Sequence, residues 1–242
     1  MEIRTSRGVL PAMLHLSPQA LKEGASPFPL VVCCHGMLSS MQSAKLVAVA
    51  ERLAHQGLSA LRFDFTGCGR NESAFGESLV GSRVEDLEEV LDWVEKEWGA
   101  GPVGLFGSSL GGFVSLVVAS RDPHRVGAVV TWAAPCSLWG LLAHKTLPRP
   151  STPTWPSSLA LGEPATVPES PGLTRVLVAH GIQDELVPWS HAVDIYGRLG
   201  EPKRLWLLEE GDHRFLDEAV RKKLLAATVE WFQEYLQPPE LG

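Results

Sequence analysis

A five-residue stretch, Gly107-Ser108-Ser109-Leu110-Gly111, limits the fold more than any other part of this 242-residue chain. It follows the apolar run Pro102 to Phe106 and opens the run Phe113 to Ala119, so the sequence reads as strand, sharp turn, helix. In a nucleophile elbow the central serine holds a strained backbone position, and glycines two residues to either side let strand and helix pack closely. Ser109 is therefore the candidate nucleophile. Because a G-x-S-x-G string also arises by chance, its weight rests on these flanking runs; the alternative is a Gly-rich βα turn without chemistry.

The rest of the chain repeats that rhythm. Residues 1 to 17 suggest an edge hairpin turning at Gly8. Leu30 to Cys34 is a continuous apolar strand of the kind buried on both faces of a parallel sheet, and it ends at His35-Gly36-Met37. From Met41 to Gln56, Leu46, Val49, Ala50 and Leu53 recur at helical spacing, with Gly57 suited to C′. The strand Leu58 to Phe63 runs into the Gly-rich turn Asp64 to Gly69. Ser82 with Glu85 three residues on predicts a capping box, ahead of a helical stripe of Val84, Leu87, Val90, Leu91 and Val94 that Gly99 ends. Val126 to Trp132, Val176 to Ala179 and Arg204 to Leu208 are further strands, with helices over Ser190 to Leu199 and Leu216 to Leu236. Such alternation predicts an α/β architecture with a mostly parallel, doubly wound sheet.

The rhythm breaks between Pro135 and Gly172, where eight of the 18 prolines fall together with Trp139 and Trp155. A βα connection normally takes a few residues, so an insertion over 135–172 reads as a lid or cap on a single domain with its core at 1–134 and 173–242. A short helix is possible from Ser137 to Leu147. Leaving the sheet at its carboxyl edge, the insertion is expected to cover Ser109, with Trp139 and Trp155 as substrate-binding surface.

Composition excludes several classes. Charged residues make up 20% of the chain and apolar ones 45%, close to a soluble globular average. No stretch approaches the roughly 18 apolar residues of a membrane-spanning helix. A net charge of −7 without a basic cluster argues against nucleic acid partners. The first residues lack a signal peptide's apolar run, so a cytoplasmic location is expected. Cys33 and Cys34 are adjacent in a strand and must point to opposite faces, which favours buried free thiols over disulfides. Zinc-type ligand spacing is absent, and neither a metal nor an organic cofactor is expected.

Ser109, Asp184 and His213 each fall just after a predicted strand, at the sheet edge where doubly wound folds place their sites. A serine hydroxyl needs a base within hydrogen-bonding reach, and the base needs a carboxylate that fixes its tautomer. His213 lies in the polar loop Glu210 to Phe215 and is the preferred base; the seven other histidines, His35 and His180 among them, read as structural. Asp184 competes as the acid with Asp64, Glu185 and Asp212. Adjacency makes Glu185 the runner-up, Asp212 is poorly placed to reach its neighbour's ring, and Asp64 suits its own Gly-rich turn. Backbone N–H groups of Met37 and Leu110 are the expected oxyanion donors.

With these motifs together, the chain resembles an α/β-hydrolase, and among these the small bacterial serine esterases of the cinnamoyl (feruloyl) esterase type. The likeness is carried by His35-Gly36, Arg62 to Gly69, Gly107 to Gly112, His180 to Pro188 and Gly211-Asp212-His213. It implies the same triad of Ser109, Asp184 and His213, with Met37 and Leu110 at the oxyanion. The function expected is hydrolysis of small esters with apolar or aromatic acyl groups. An aminopeptidase, an acyl thioesterase or a non-catalytic binding protein on the same scaffold are the competing readings.

Overall fold

The computed structural model describes residues 1–22, 26–71, 78–99, 101, 103–139 and 165–236. Alternating apolar strands and amphipathic helices assemble as expected. The strands are β1 (Glu2–Thr5), β2 (Gly8–His15), β3 (Leu30–Cys34), β4 (Ser59–Phe63), β5 (Val103–Ser108), β6 (Val126–Trp132), β7 (Val176–Gly181) and β8 (Lys203–Leu208). Five helices connect or follow them: α1 (Ala44–His55), α2 (Leu79–Trp98), α3 (Leu110–Arg121), α4 (Ser190–Gly197) and α5 (Glu218–Leu236). All eight strands belong to one sheet in the order β1-β2-β4-β3-β5-β6-β7-β8. The leading hairpin is antiparallel to itself and to β4, and every later pairing is parallel.

The two faces of the sheet carry separate cores. Leu30, Val32 and Cys34 of β3 face the cluster that includes α2, α3 and α4, whereas Val31 and Cys33 face α1 and α5. Period-two alternation thus sends the adjacent cysteines to opposite sides, and all four cysteines are buried and free. On α1 the buried residues are Leu46, Val49, Ala50 and Leu53, and burying each large one contributes about 1.5–3 kcal/mol. Ser43 caps that helix by accepting from the Leu46 N–H.

The start of α2 differs from the sequence expectation. Ser78, not Ser82, is the N-cap and accepts from the Gly81 N–H. The physical reason is burial: Leu79 and Val80 are packed in the core, so starting one turn earlier removes them from water. Glu85 is paired with Arg7 instead of closing a capping box.

Strand order reverses beside β3, whose next strand β4 lies on one side while β5 lies on the other. Crevices at such switch points, outside the carboxyl ends of the strands, are where ligands bind in open α/β sheets. Here the loop after β3 and the turn after β5 meet. At the insertion, Leu138 N–H donates to the Ala165 carbonyl and Val167 N–H to the Cys136 carbonyl, both at 2.8 Å. Its two ends are therefore zipped together beyond the carboxyl end of β6. The expected helix from Ser137 to Leu147 lies almost wholly outside the described residues, and Trp155 lies outside them entirely.

Candidate active site

Ser109 closes the turn between β5 and α3 at φ 54° and ψ −126°, a conformation that costs an L-residue on the order of 1–3 kcal/mol. The flanking glycines are dictated by contact. A β-carbon on Gly107 would lie 2.5 Å from the Gly112 backbone, and one on Gly111 would lie 2.2 Å from the Cys34 carbonyl oxygen. Serine at a helix N-cap ordinarily bonds the first turn, but Ser109 makes no capping bond with its side chain. Its Oγ instead lies 3.2 Å from His213 Nε2. Ser108 is buried at 2% exposure.

The other ring nitrogen of His213, Nδ1, lies 2.8 Å from Asp184 Oδ2. Asp184 is saturated with donors: Leu186 and Val187 N–H bond Oδ1 at 2.9 and 2.7 Å, and His180 Nε2 lies 3.2 Å from Oδ2. Burial alone would raise the Asp184 pKa, but the hydrogen bonds from His180 and His213, the His213 charge and the Val187 N–H outweigh it and hold the carboxyl below its ordinary range. The competing acids are occupied elsewhere. Asp64 accepts from Met41 and Arg70 N–H at 2.7 and 3.0 Å, Asp212 from Leu216 N–H at 2.8 Å, and Glu185 from the main-chain N–H of His213 at 3.2 Å. Phe215 anchors the histidine loop, its ring edge-on to Trp132 with centroids 5.6 Å apart.

The loop after β3 lies against the nucleophile. Among the described residues, neither the Met37 nor the Leu110 N–H is taken by another acceptor, so both remain available to a developing oxyanion. Leu110 also opens α3, whose N-terminal dipole favours negative charge at that spot. Strain gathers here as well: Leu38, Ser109, Ala133 and Phe215 all have positive φ, at 52°, 54°, 54° and 51°, and all flank this edge.

A cleft of about 700 Å³ opens over Ser109 and His213, lined by Met37, Leu38, Leu186 and Leu216 on its apolar side. Lys45, Arg214, Arg221 and Glu185 contribute its charged groups. Trp139 is not among the lining residues and is 69% exposed. Lys45 is the residue sequence reasoning missed on this wall: its Nζ donates to the His213 carbonyl at 3.1 Å. Burial lowers its pKa to about 8; Asp184, Asp212 and Glu185 act the other way, and the Arg214 charge adds to the lowering.

His35 and His180, read as structural from sequence, stand next to the site. His180 is fully buried with Nε2 2.9 Å from the Val187 carbonyl and also facing Asp184. His35 places Nδ1 2.8 Å from the Gly36 carbonyl. Their shared signal is a His-Gly pair at the carboxyl end of an apolar strand. No group of acidic, His and Cys side chains suited to a metal occurs among the described residues.

A mostly parallel sheet with its elbow after β5, an acid after β7 and a histidine after β8 has the chain order of the α/β hydrolases. The chain belongs to the Hydrolase_4 family, described as serine aminopeptidase, S33, which matches residues 25–161. It is 29% identical over 216 residues to the mouse (Mus musculus) palmitoyl-protein thioesterase ABHD10, mitochondrial, a match spanning 79% of this chain and 71% of that protein. The structure of mouse α/β hydrolase domain-containing protein 10 superposes with a TM-score of 0.71 at 26% identity, covering 96% of each chain. Est1E from Butyrivibrio proteoclasticus, solved with ferulic acid, gives 0.79 at 20% identity over 97% of this chain and 98% of its own. Among the described residues no helix is long and apolar enough to cross a membrane.

Proposed function

We propose that this protein hydrolyses small carboxylic esters with apolar or aromatic acyl groups through an acyl-enzyme on Ser109. The observation that carries the reading is the continuous line from Ser109 Oγ through His213 to Asp184, with two N–H groups beside it that have no other acceptor among the described residues. Ser109 Oγ attacks the carbonyl carbon while His213 Nε2 takes the hydroxyl proton. The tetrahedral oxyanion is held by Met37 and Leu110 N–H, and His213 returns the proton to the departing alkoxide. Water then repeats the sequence, with His213 as base, and releases the acid and free Ser109. Asp184 fixes the tautomer in which His213 Nδ1 carries its proton and stabilises the imidazolium that forms. No metal or organic cofactor enters any of these steps.

Thioester hydrolysis is the second reading, favoured by the likeness to palmitoyl-protein thioesterase ABHD10. It uses the same residues, with a thiolate leaving in place of an alkoxide. An aminopeptidase reading has less support, because among the described residues the cleft is lined by Lys45, Arg214 and Arg221 against the single acid Glu185, and a substrate ammonium group needs acids. Kinetics on matched oxygen and thiol esters of acetate, octanoate, palmitate and ferulate separate the readings: faster turnover of the oxyesters supports the first, faster turnover of the thioesters the second. A cytoplasmic location is part of this proposal, although the ABHD10 relatives are named mitochondrial. Fractionation of cells expressing the tagged chain distinguishes the two.

A further inference from the structure

Arg83 of α2 is a fully buried cation that the chemistry above does not use. Its Nη1 donates to the His35 carbonyl at 3.2 Å and the Gly36 carbonyl at 3.4 Å, and its Nη2 to Cys68 Sγ at 3.2 Å. The guanidinium carbon sits 4.8 Å from the centre of the Phe65 ring. Removing a guanidinium from water is costly, and both hydrogen bonds of Nη1 go to the loop that leads to Met37.

The His35 ring holds the same loop. Its Nε2 accepts the Phe65 N–H at 3.2 Å, so the proton resides on Nδ1, which donates to the Gly36 carbonyl at 2.8 Å. The Gly36 carbonyl and the Met37 N–H belong to one peptide plane and point in opposite directions because that peptide is trans. Fixing the carbonyl on one side therefore fixes the N–H on the other. Gly36 has no side chain to restrain rotation of this plane, and a rotated plane would present a carbonyl oxygen to the oxyanion. Donors on the carbonyl also polarise the amide and strengthen its N–H as a donor.

We propose that His35 and Arg83 are positioning residues that lock the Gly36–Met37 peptide with its N–H aimed at the oxyanion before substrate binds. This rests on the Ser109 reading above. A purely structural tether would affect folding; a positioning role affects the oxyanion in particular.

The test compares 4-nitrophenyl acetate with its thionoester, O-(4-nitrophenyl) thionoacetate, on the full chain. Aligned N–H donors stabilise a developing oxygen anion far better than a sulfur anion, so the oxygen-to-sulfur rate ratio reports on them. Folded Arg83→Met is expected to lose about 10- to 100-fold in kcat with little change in KM and to lower the ratio, and Arg83→Lys to recover part of both. A second pair keeps the proposal testable if Arg83→Met does not fold. Asparagine places an amide donor near the position of Nδ1 and glutamine does not, so His35→Asn should keep the ratio and His35→Gln should lose it. An unchanged ratio in folded Arg83→Met, or in His35→Gln, overturns the proposal while leaving the Ser109 reading intact. Wild-type protein that neither cleaves the oxyester nor labels at Ser109 overturns that reading and the proposal with it.

Discussion

Gly36 lies so close to Ser109 that a β-carbon at position 36 would sit 3.2 Å from the serine Cβ and 3.7 Å from its Oγ. The Ser108 carbonyl oxygen would be 3.3 Å away. The 3.2 and 3.3 Å separations require those neighbours to move by a few tenths of an ångström, and one of them is the β-carbon that carries the nucleophile. Gly36→Ala is expected to lower kcat by about 10- to 100-fold with little change in thermal stability, because small misplacements of reacting groups carry large kinetic costs. Steady-state kinetics alongside a melting curve check this.

Asp184 is the carboxylate that faces His213 Nδ1, at 2.8 Å. Asp184→Asn should lower kcat by about 10³- to 10⁴-fold in a protein that still folds, while Asp64→Asn, which removes an acceptor from Met41 and Arg70 N–H, should act on stability. The Asp184 carboxyl is held below its ordinary value of 3.8. A depressed carboxylate contributes stability that is complete above the unfolded value and disappears as pH falls through the folded one. The destabilisation caused by Asp184→Asn should therefore be full near neutral pH and shrink once pH drops below about 4, read as the difference in melting temperature between variant and wild type.

Ser109, Asp184 and His213 were legible in the sequence because each lies where an apolar strand gives way to a polar loop, and strand ends share one edge of a parallel sheet. The placement of Met37 and Leu110 at that same edge was legible for the same reason. Arg83 and Lys45 were not. Arg83 sits on a predicted helix among ordinary charged residues, and nothing in a linear pattern shows that its side chain turns inward beneath a loop some 47 residues earlier. The early start of α2 was hidden because Ser82 and Glu85 fit a capping box locally, whereas burial of Leu79 and Val80 is decided by the rest of the sheet. Trp139, exposed and away from the cleft lining, illustrates a further limit: apolar character marks a residue as able to line a cleft, and only the chain path says whether it does.

Substrate preference should follow the apolar wall of the cleft. Leu38 and Leu216 are 50% and 67% exposed yet line the space over Ser109. Leu38→Ala and Leu216→Ala are expected to shift relative kcat/KM among acetyl, octanoyl and feruloyl esters by about 10-fold, since one methylene in such a pocket is worth about 1–3 kcal/mol. Trp139→Ala and Trp155→Ala, measured on the same panel, test whether the insertion adds to that preference. An unchanged order in both would restrict selectivity to the leucine wall.

The strain at Ser109 has its own consequence. Glycine adopts φ 54° and ψ −126° without the penalty that serine bears. Ser109→Gly should therefore abolish turnover and yet raise stability by about 1 kcal/mol, seen as a melting temperature about 2–4 °C higher. A lower melting temperature would mean that the elbow is not strained.

The most direct measurement is the site of covalent labelling. Treated with a fluorophosphonate and digested, the wild-type chain should carry one phosphonyl adduct on Ser109, located by tandem mass spectrometry. Ser108→Ala should label as wild type, whereas Ser109→Ala should not label and should lose about 10⁴-fold or more in kcat. An adduct on Ser108, or full turnover by Ser109→Ala, would contradict the account.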